Sequence, residues 1–140
     1  MSANLRLDVG KDLKDLSAAA ARVRDFGRRH QIQSSLMGKV SLCLEELLVN
    51  VIRHGIEEEA PAVPILVALE LIPEALRVEL LDSGRAFDPF TEAPSPDLDS
   101  GLEERRIGGL GVHLVKALAD RYEYRRELAQ NRVTLWFSVD

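Results

Sequence analysis

The sequence predicts an α/β two-layer sandwich, a mixed and mostly antiparallel sheet with helices on one face. Three observations lead to this fold class. A short strand pattern is followed by two long patterns of helical period, two strand patterns come next, and a third helical pattern precedes a closing pair of strands. Such elements bury their apolar faces best as one sheet covered by one helical layer. The 140 residues are expected to form a single domain over 1–140.

The first half carries one strand pattern and two helical patterns. Residues Asn4 to Val9 alternate apolar and polar side chains, which predicts a half-buried strand. Apolar residues then recur at three- and four-residue spacing from Lys11 to His30, and again from about Leu36 to Ile56. This period predicts two amphipathic helices, separated by a polar break.

The middle of the chain is predicted to form a β-hairpin. Alternating apolar residues run from Val63 to Leu71 and from Leu76 to Leu80. The short Ile72–Ala75 link, which contains a proline, predicts an antiparallel pair.

A long loop separates this hairpin from the last elements. Residues from Phe90 to Arg106 are rich in Pro, Asp, Ser and Gly and show little periodicity, and a loop this long in a compact domain is usually functional or disordered. Beyond it, Gly109 to Ala119 has a helical pattern. Tyr122–Tyr124 and Val133–Val139 predict a closing hairpin that turns around Gln130-Asn131.

Composition narrows the classes of function. Hydrophobic residues make up 46% and charged residues 29%, with a formal net charge of −5 and no block of basic residues, so general nucleic-acid binding is not expected. A single cysteine, Cys43, excludes an intrachain disulfide. With no signal-peptide pattern and no apolar run of about 18 residues, we expect a cytoplasmic protein without membrane association.

The second predicted helix places a carboxylate and an amide on one face. Glu46 and Asn50 are four residues apart, so their side chains project from the same side about one turn apart. An Asn carbonyl oxygen suits Mg²⁺, and Glu46 can act as a general base or hold a metal-bound water. The same pair also fits a solvated helix face. Glu45 is expected on the surface.

Asp82-Ser-Gly84 follows the second strand of the hairpin. A carboxylate at a strand end can accept a hydrogen bond from an exocyclic amine such as that of adenine, and a glycine lets the backbone approach a flat ring. The alternative is a plain turn, for which Asp-Ser-Gly is common chemistry. Phe87-Asp88-Pro89 is interpreted as a structural stop before the loop.

Gly108-Gly-Leu-Gly111 opens the third helix. Backbone amides at a helix N-terminus bind phosphate, and glycines permit close approach. The preceding loop is a candidate lid over a triphosphate, and Arg105 and Arg106 at its end are placed to reach the terminal phosphate. A solvated charge run is the alternative for these two arginines.

Taken in order, these three motifs make the chain resemble the GHKL ATP-binding domains, which include gyrase, Hsp90, histidine kinases and MutL. The resemblance is closer to the stand-alone bacterial anti-sigma-factor serine/threonine kinases, and it extends from about Leu5 to Val139. Glu46–Asn50 matches the N box, Asp82–Gly84 the first glycine box and Gly109–Gly111 the second. His54-Gly55 and Phe87-Asp88-Pro89 are similar to the anti-sigma branch.

The resemblance implies a Bergerat-type fold that binds ATP with Mg²⁺. It implies that Asn50 binds the metal ion, that Glu46 is the general base and that Asp82 contacts the adenine amine. It also implies that Gly84 lines the base pocket and that Gly109 and Gly111 border the phosphates. Gly108 at the helix N-terminus and Arg105 in an ATP lid at about 90–107 are added as nucleotide contacts from the residues themselves. Val49 and Arg85-Ala86 depart from the commonest spelling of the motifs.

The resemblance also implies partners and an activity. Members of this branch usually dimerise, sequester a sigma factor, and phosphorylate a serine or threonine of an anti-anti-sigma protein. We therefore expect an ATP-dependent serine/threonine protein kinase that acts as an anti-sigma factor and forms a homodimer. The alternative is a nucleotide-binding switch that holds a partner without phosphorylating it. A histidine kinase fragment and an autonomous ATPase are less favoured, because no phosphoacceptor helix or coupling domain accompanies the motifs.

Overall fold

An antiparallel sheet forms one layer of the protein. The computed structural model describes residues 3–55, 64–92 and 110–139, and within them the sheet has five strands in the order β1-β2-β3-β5-β4. Every neighbouring pair is antiparallel, so the parallel pair allowed by a mixed sheet does not occur in these ranges. The strands are β1 (Ala3–Val9), β2 (Ile65–Ile72), β3 (Ala75–Asp82), β4 (Arg121–Glu127) and β5 (Gln130–Ser138).

Helices form the second layer. They are α1 (Leu13–Arg29), α2 (Ser34–Asn50), the short α3 (Pro89–Glu92) and α4 (Leu110–Leu118). A π-helical turn, Val51–Gly55, continues α2. The predicted α/β two-layer fold is therefore confirmed, with helix ends within a few residues of those expected except where α2 changes to the π-helical turn.

The core lies between the two layers. Alternate side chains of β2, β3 and β5 point toward the helices because strand side chains alternate between faces. The fully buried members are large aliphatic or aromatic residues, which is where burial contributes most to stability. They include Val67, Leu69, Val78, Leu80, Leu135 and Phe137 from the sheet, and Val23, Val40, Leu47 and Val115 from the helices.

Helices α1 and α2 approach closely at one point. A Cβ added to Gly27 would lie 2.6 Å from Met37 Cγ, so a larger residue there would require the Met37 side chain to shift. At the start of α1, the Asp12 amide donates to the Asp15 carboxylate at 3.2 Å, which satisfies one of the unpaired amides of the first turn.

The turn between β4 and β5 differs from the prediction. It consists of Leu128 and Ala129, both with positive φ (52° and 60°), whereas Gln130 and Asn131 already belong to β5. Two positive φ values match the type I′ geometry that fits the twist of a two-residue hairpin. The prediction was wrong because Gln-Asn is the more turn-prone dipeptide, but Asn131 is required inside the strand.

The segment after β3 also differs from the prediction. Asp88 Oδ1 accepts a hydrogen bond from the Phe90 amide at 2.9 Å, and the Asp88 amide donates to the Glu92 carboxylate. These bonds start a helical turn, α3, so Phe87-Asp88-Pro89 begins a helix rather than only ending a strand. The rest of the predicted loop and lid lies outside the described residues.

The second face of the sheet carries polar and charged side chains. Trp136 lies on this face. The guanidinium carbon of Arg121, on the neighbouring strand, is 4.4 Å from the centroid of the Trp136 ring. This cation–π contact and the half-buried state of the indole explain why a tryptophan is tolerated opposite the core face. In the part of the chain that the structure describes, no helix is both long and apolar enough to cross a membrane.

Candidate nucleotide site

Helix α2 presents Glu46 and Asn50 one turn apart, as its period requires. Both side chains are half-buried, while Glu45 is exposed as predicted. Burial raises the pKa of Glu46 above its ordinary value; the negative charge of Glu45 raises it further, and Arg53 lowers it. A carboxylate with a raised pKa accepts protons more readily near neutral pH, which is the property a general base needs.

Glu46 lies directly against helix α4. A Cβ built on Gly111 would be 2.0 Å from Glu46 Oε2 and 2.8 Å from Cδ, distances that real side chains do not reach. The N-terminal turn of α4 and the carboxylate of α2 are therefore in contact, and the motifs around Glu46 and Gly111 meet in the fold.

Asp82 ends β3 on the face that points toward the helices. Its side chain is 5% exposed, and its Oδ1 accepts hydrogen bonds from the Gly84 amide at 3.0 Å and from Asn131 Nδ2 at 2.9 Å. Among the described residues, both of these bonds end on Oδ1. These two bonds fix the carboxylate, and Asp82 lines the pocket described below.

Asn131 organises the surroundings of Asp82. It is 3% exposed, and its Nδ2 also donates to the Arg85 carbonyl at 2.7 Å. Its Oδ1 accepts from the Tyr124 hydroxyl at 2.5 Å and from the Phe87 amide at 3.3 Å. An amide can make four such bonds, so the capacity of this side chain is fully used.

The sequence interpretation missed Asn131 because it placed this residue in a turn. The alternation of Val133, Leu135 and Phe137 carried a usable signal, since two residues earlier the same period places Asn131 on the buried face. A buried amide on that face needs polar partners, and Asp82 supplies one.

Two further contacts hold the loop after β3. Arg126 Nη1 donates to the Gly84 carbonyl at 2.7 Å, so a side chain of β4 holds the backbone of the Asp82–Gly84 segment. Burial raises the pKa of Tyr124, which keeps its hydroxyl protonated and able to donate to Asn131. The loop is thus tied to both strands of the closing hairpin.

A narrow pocket connects the two motifs. Asn50 from α2 and Asp82 from β3 both line it, together with Asn131 and an apolar wall of Leu47, Val51, Leu80, Phe87, Pro89 and Val133. Its free volume is about 10 Å³, room for about one water molecule. A purine ring would require the wall to move outward. A larger cleft, about 660 Å³, lies at the opposite end of the sheet beside His30 and Pro73 and contains none of the predicted site residues.

The side chains of the site suit a magnesium ion that takes most of its ligands from the nucleotide and from water. Within the described ranges, no group of three or more His, Cys, Asp or Glu side chains is placed to hold a metal ion. Mg²⁺ bound with a nucleotide takes phosphate and water oxygens and needs only one or two protein ligands. The half-buried Asn50, one turn from the Glu46 carboxylate, fits that requirement.

The structure brings together Glu46, Asn50, Asp82, Gly84 and Gly111. Three predicted site residues, Arg105, Gly108 and Gly109, lie outside the described residues. Their assignment to a nucleotide therefore stays a prediction.

Comparisons with known proteins identify relatives over most or part of this chain. A serine/threonine-protein kinase named BtrW, from Bordetella bronchiseptica, is 28% identical over 131 residues, covering 89% of this chain and 91% of the relative. A serine-protein kinase named RsbW, from Staphylococcus aureus, is 25% identical over 89 residues, covering 61% of this chain and 56% of the relative.

A solved structure shows the same fold. The RsbU and RsbW domains of Rv1364c from Mycobacterium tuberculosis superpose with a TM-score of 0.67 at 15% identity, covering 96% of this chain and 32% of that chain. Over residues 9–137 the sequence also matches the family described as the histidine kinase-like ATPase domain. The chain belongs to the histidine kinase-like ATPase domain family.

Proposed function

We propose that this protein is an ATP-dependent serine/threonine protein kinase that acts as an anti-sigma factor and phosphorylates an anti-anti-sigma protein. One observation carries the proposal: a half-buried carboxylate with a raised pKa, Glu46, stands one helical turn from Asn50, which lines the same pocket as Asp82. A protein that only held a nucleotide would have no need of a base there. The kinase names of the BtrW and RsbW relatives point in the same direction.

The base end of the nucleotide is assigned to Asp82. Its Oδ2 would accept a hydrogen bond from the adenine amine while Oδ1 stays bound to Gly84 and Asn131. Guanine carries an oxygen at that position, which would face the carboxylate without a proton to donate. ATP and ADP are therefore the expected ligands, and GTP is disfavoured.

The reacting end is assigned to Glu46 and Asn50. The hydroxyl oxygen of the substrate serine or threonine bonds to the γ-phosphorus, and the bond from that phosphorus to the β,γ-bridging oxygen breaks. The electron pair leaves with ADP, and the hydroxyl proton passes to Glu46. Asn50 would hold Mg²⁺, which neutralises charge on the phosphates, and catalysis otherwise depends on positioning.

The remaining assignments belong to the same proposal. Gly108, Gly109 and Gly111 border the phosphates, and Arg105 in a lid at about 90–107 contacts the terminal phosphate. The protein is a single domain that acts in the cytoplasm as a homodimer and binds a sigma factor. The homodimer and the sigma factor follow from the resemblance of the motifs to the anti-sigma kinases, whereas the single domain is inferred from chain length and the location from the sequence patterns described above.

The test is a comparison of binding and transfer in matched variants. Isothermal titration measures ATP, ADP and GTP binding, and radiolabelled γ-phosphate measures transfer to candidate anti-anti-sigma proteins. Glu46→Gln should retain ATP binding and lose transfer, while Glu45→Gln, an exposed neighbour whose charge only adds to the raised pKa of Glu46, should retain both ATP binding and transfer. Transfer at the wild-type rate by Glu46→Gln would refute the general-base assignment. ATP binding without transfer by any variant would favour the switch that holds a partner without phosphorylating it.

A further inference from the structure

Gly111 occupies a position where glycine is not needed for the backbone. It is the second residue of α4, and its φ lies outside the left-handed region, so an L-residue can adopt its conformation. Glycine inside a helix costs about 1 kcal/mol relative to alanine. A residue that weakens the helix without a conformational reason calls for an explanation in its surroundings.

The atoms closest to the open side of Gly111 belong to one side chain. The three atoms nearest to an added Cβ all belong to Glu46: Oε2 at 2.0 Å, Cδ at 2.8 Å and Cγ at 3.2 Å. These atoms form the far end of a flexible side chain, so an alanine would push the carboxylate aside rather than separate the helices. The space above Gly111 is therefore filled by the Glu46 carboxylate.

We propose that Gly111 is a positioning residue for Glu46: its missing side chain lets the carboxylate rest against α4 in the orientation used for proton transfer. This inference rests on the proposed kinase function: the backbone of Gly111 borders the phosphates, and the absence of its side chain has this second role. Packing against α4 also keeps water from the carboxylate, which acts in the same direction as the burial that raises the pKa of Glu46.

The main experiment compares Gly111→Ala with Gly38→Ala. Gly38 is an exposed glycine of α2 with no atom within 4 Å of an added Cβ, so it receives the same chemical change in open space. Gly111→Ala should lower kcat about 10- to 100-fold, because a general base contributes about 10²- to 10⁴-fold and the displaced carboxylate keeps only part of that. The Kd for ATP should stay within about threefold, since an interaction lost only in the chemical step changes kcat alone.

A rescue variant separates positioning from a structural effect. In Glu46→Asp the carboxylate carbon occupies the place of Glu46 Cγ, 3.2 Å from the added Cβ, so the severe overlap is removed. Adding Gly111→Ala to the Glu46→Asp variant should therefore change kcat less than about threefold. If the single variant fails to fold, the double variant should fold; failure of both would mean that the space serves another group and would overturn the inference.

A readout that does not depend on transfer completes the test. The ¹³C shift of the Glu46 carboxyl carbon, followed against pH by NMR, should show a lower pKa in Gly111→Ala than in the wild type, because the displaced carboxylate gains water. An unchanged pKa with unchanged kcat would overturn the inference. Loss of ATP binding in Gly111→Ala with an unchanged Glu46 pKa would do so as well, since it would assign Gly111 to the phosphates. Lack of ATP binding by the wild type would instead refute the proposed function and leave this pKa comparison valid.

Discussion

Replacing Asn131 by alanine should both destabilise the protein and weaken ATP binding. The substitution removes a charge-assisted bond to Asp82 and bonds with the Arg85 carbonyl, the Tyr124 hydroxyl and the Phe87 amide. A neutral bond contributes about 1 kcal/mol and one to a charged group about 1.5–3 kcal/mol; since the four share one side chain and do not add fully, we expect a loss of about 3 kcal/mol. Urea unfolding measures this loss.

The effect on binding follows from the freedom of the Asp82 carboxylate. Without Asn131, Oδ1 retains the Gly84 amide as its one donor among the bonds described above, so the carboxylate that lines the pocket is held less firmly. We expect the Kd for ATP to rise about tenfold, equivalent to about 1.4 kcal/mol. Isothermal titration without urea, at a temperature well below the unfolding transition, measures this change.

Two tyrosines of β4 provide the matched control. Tyr124→Phe deletes a hydroxyl that donates to Asn131 and should cost about 1 kcal/mol. Tyr122→Phe deletes a hydroxyl for which the described residues show no hydrogen bond, on a side chain that is 41% exposed, and should cost close to nothing. A loss below about 1 kcal/mol for Asn131→Ala, or equal losses for the two tyrosine variants, would refute the reasoning.

Two further predictions concern the hairpin turn and the buried carboxylate. Replacing Leu128 and Ala129 by Asn-Gly should raise the free energy of unfolding by about 1–2 kcal/mol, because both positions have positive φ and these residues adopt it at lower cost; an unchanged thermal midpoint would contradict this. Glu46→Gln should become more stable relative to the wild type as pH rises from the ordinary glutamate value of 4.5. Because the pKa of Glu46 is raised in the folded state, the wild type loses stability as pH rises through that folded-state pKa, whereas the Gln variant does not. A stability difference between the two proteins that is constant across pH would count against the burial of the Glu46 carboxyl group.

Element types followed from local patterns, whereas some element ends did not. Helix α2 and strands β2 and β3 have clear periods, and the structure has them where the periods place them. The turn between β4 and β5 was misplaced because local preference favours Gln-Asn over Leu-Ala as a turn. The buried register of β5 overrides that preference, and register depends on contacts with β3 that local sequence does not show.

Some residues of the candidate site were likewise predicted from local patterns, and others were not. Helical spacing alone placed Glu46 and Asn50 on one face, and a strand end placed Asp82. The role of Asn131 depends on partners 44 to 49 residues earlier in the chain, and the contact of Gly111 with Glu46 depends on how α4 packs on α2. Such long-range contacts require the folded chain, which is why motif spacing did not reveal them.

The strand order has a consequence for folding kinetics. Hairpins β2–β3 and β4–β5 pair neighbouring segments, whereas the β3–β5 pairing joins Asp82 to Asn131 across 49 residues and must overcome a larger loop-closure entropy. We expect the two hairpins to form early and to dock late. Because Asp82 belongs to one hairpin and Asn131 to the other, the adenine end of the site forms only when the two hairpins dock. ATP should therefore lower the unfolding rate and leave the folding rate almost unchanged, when each rate is measured with and without the nucleotide.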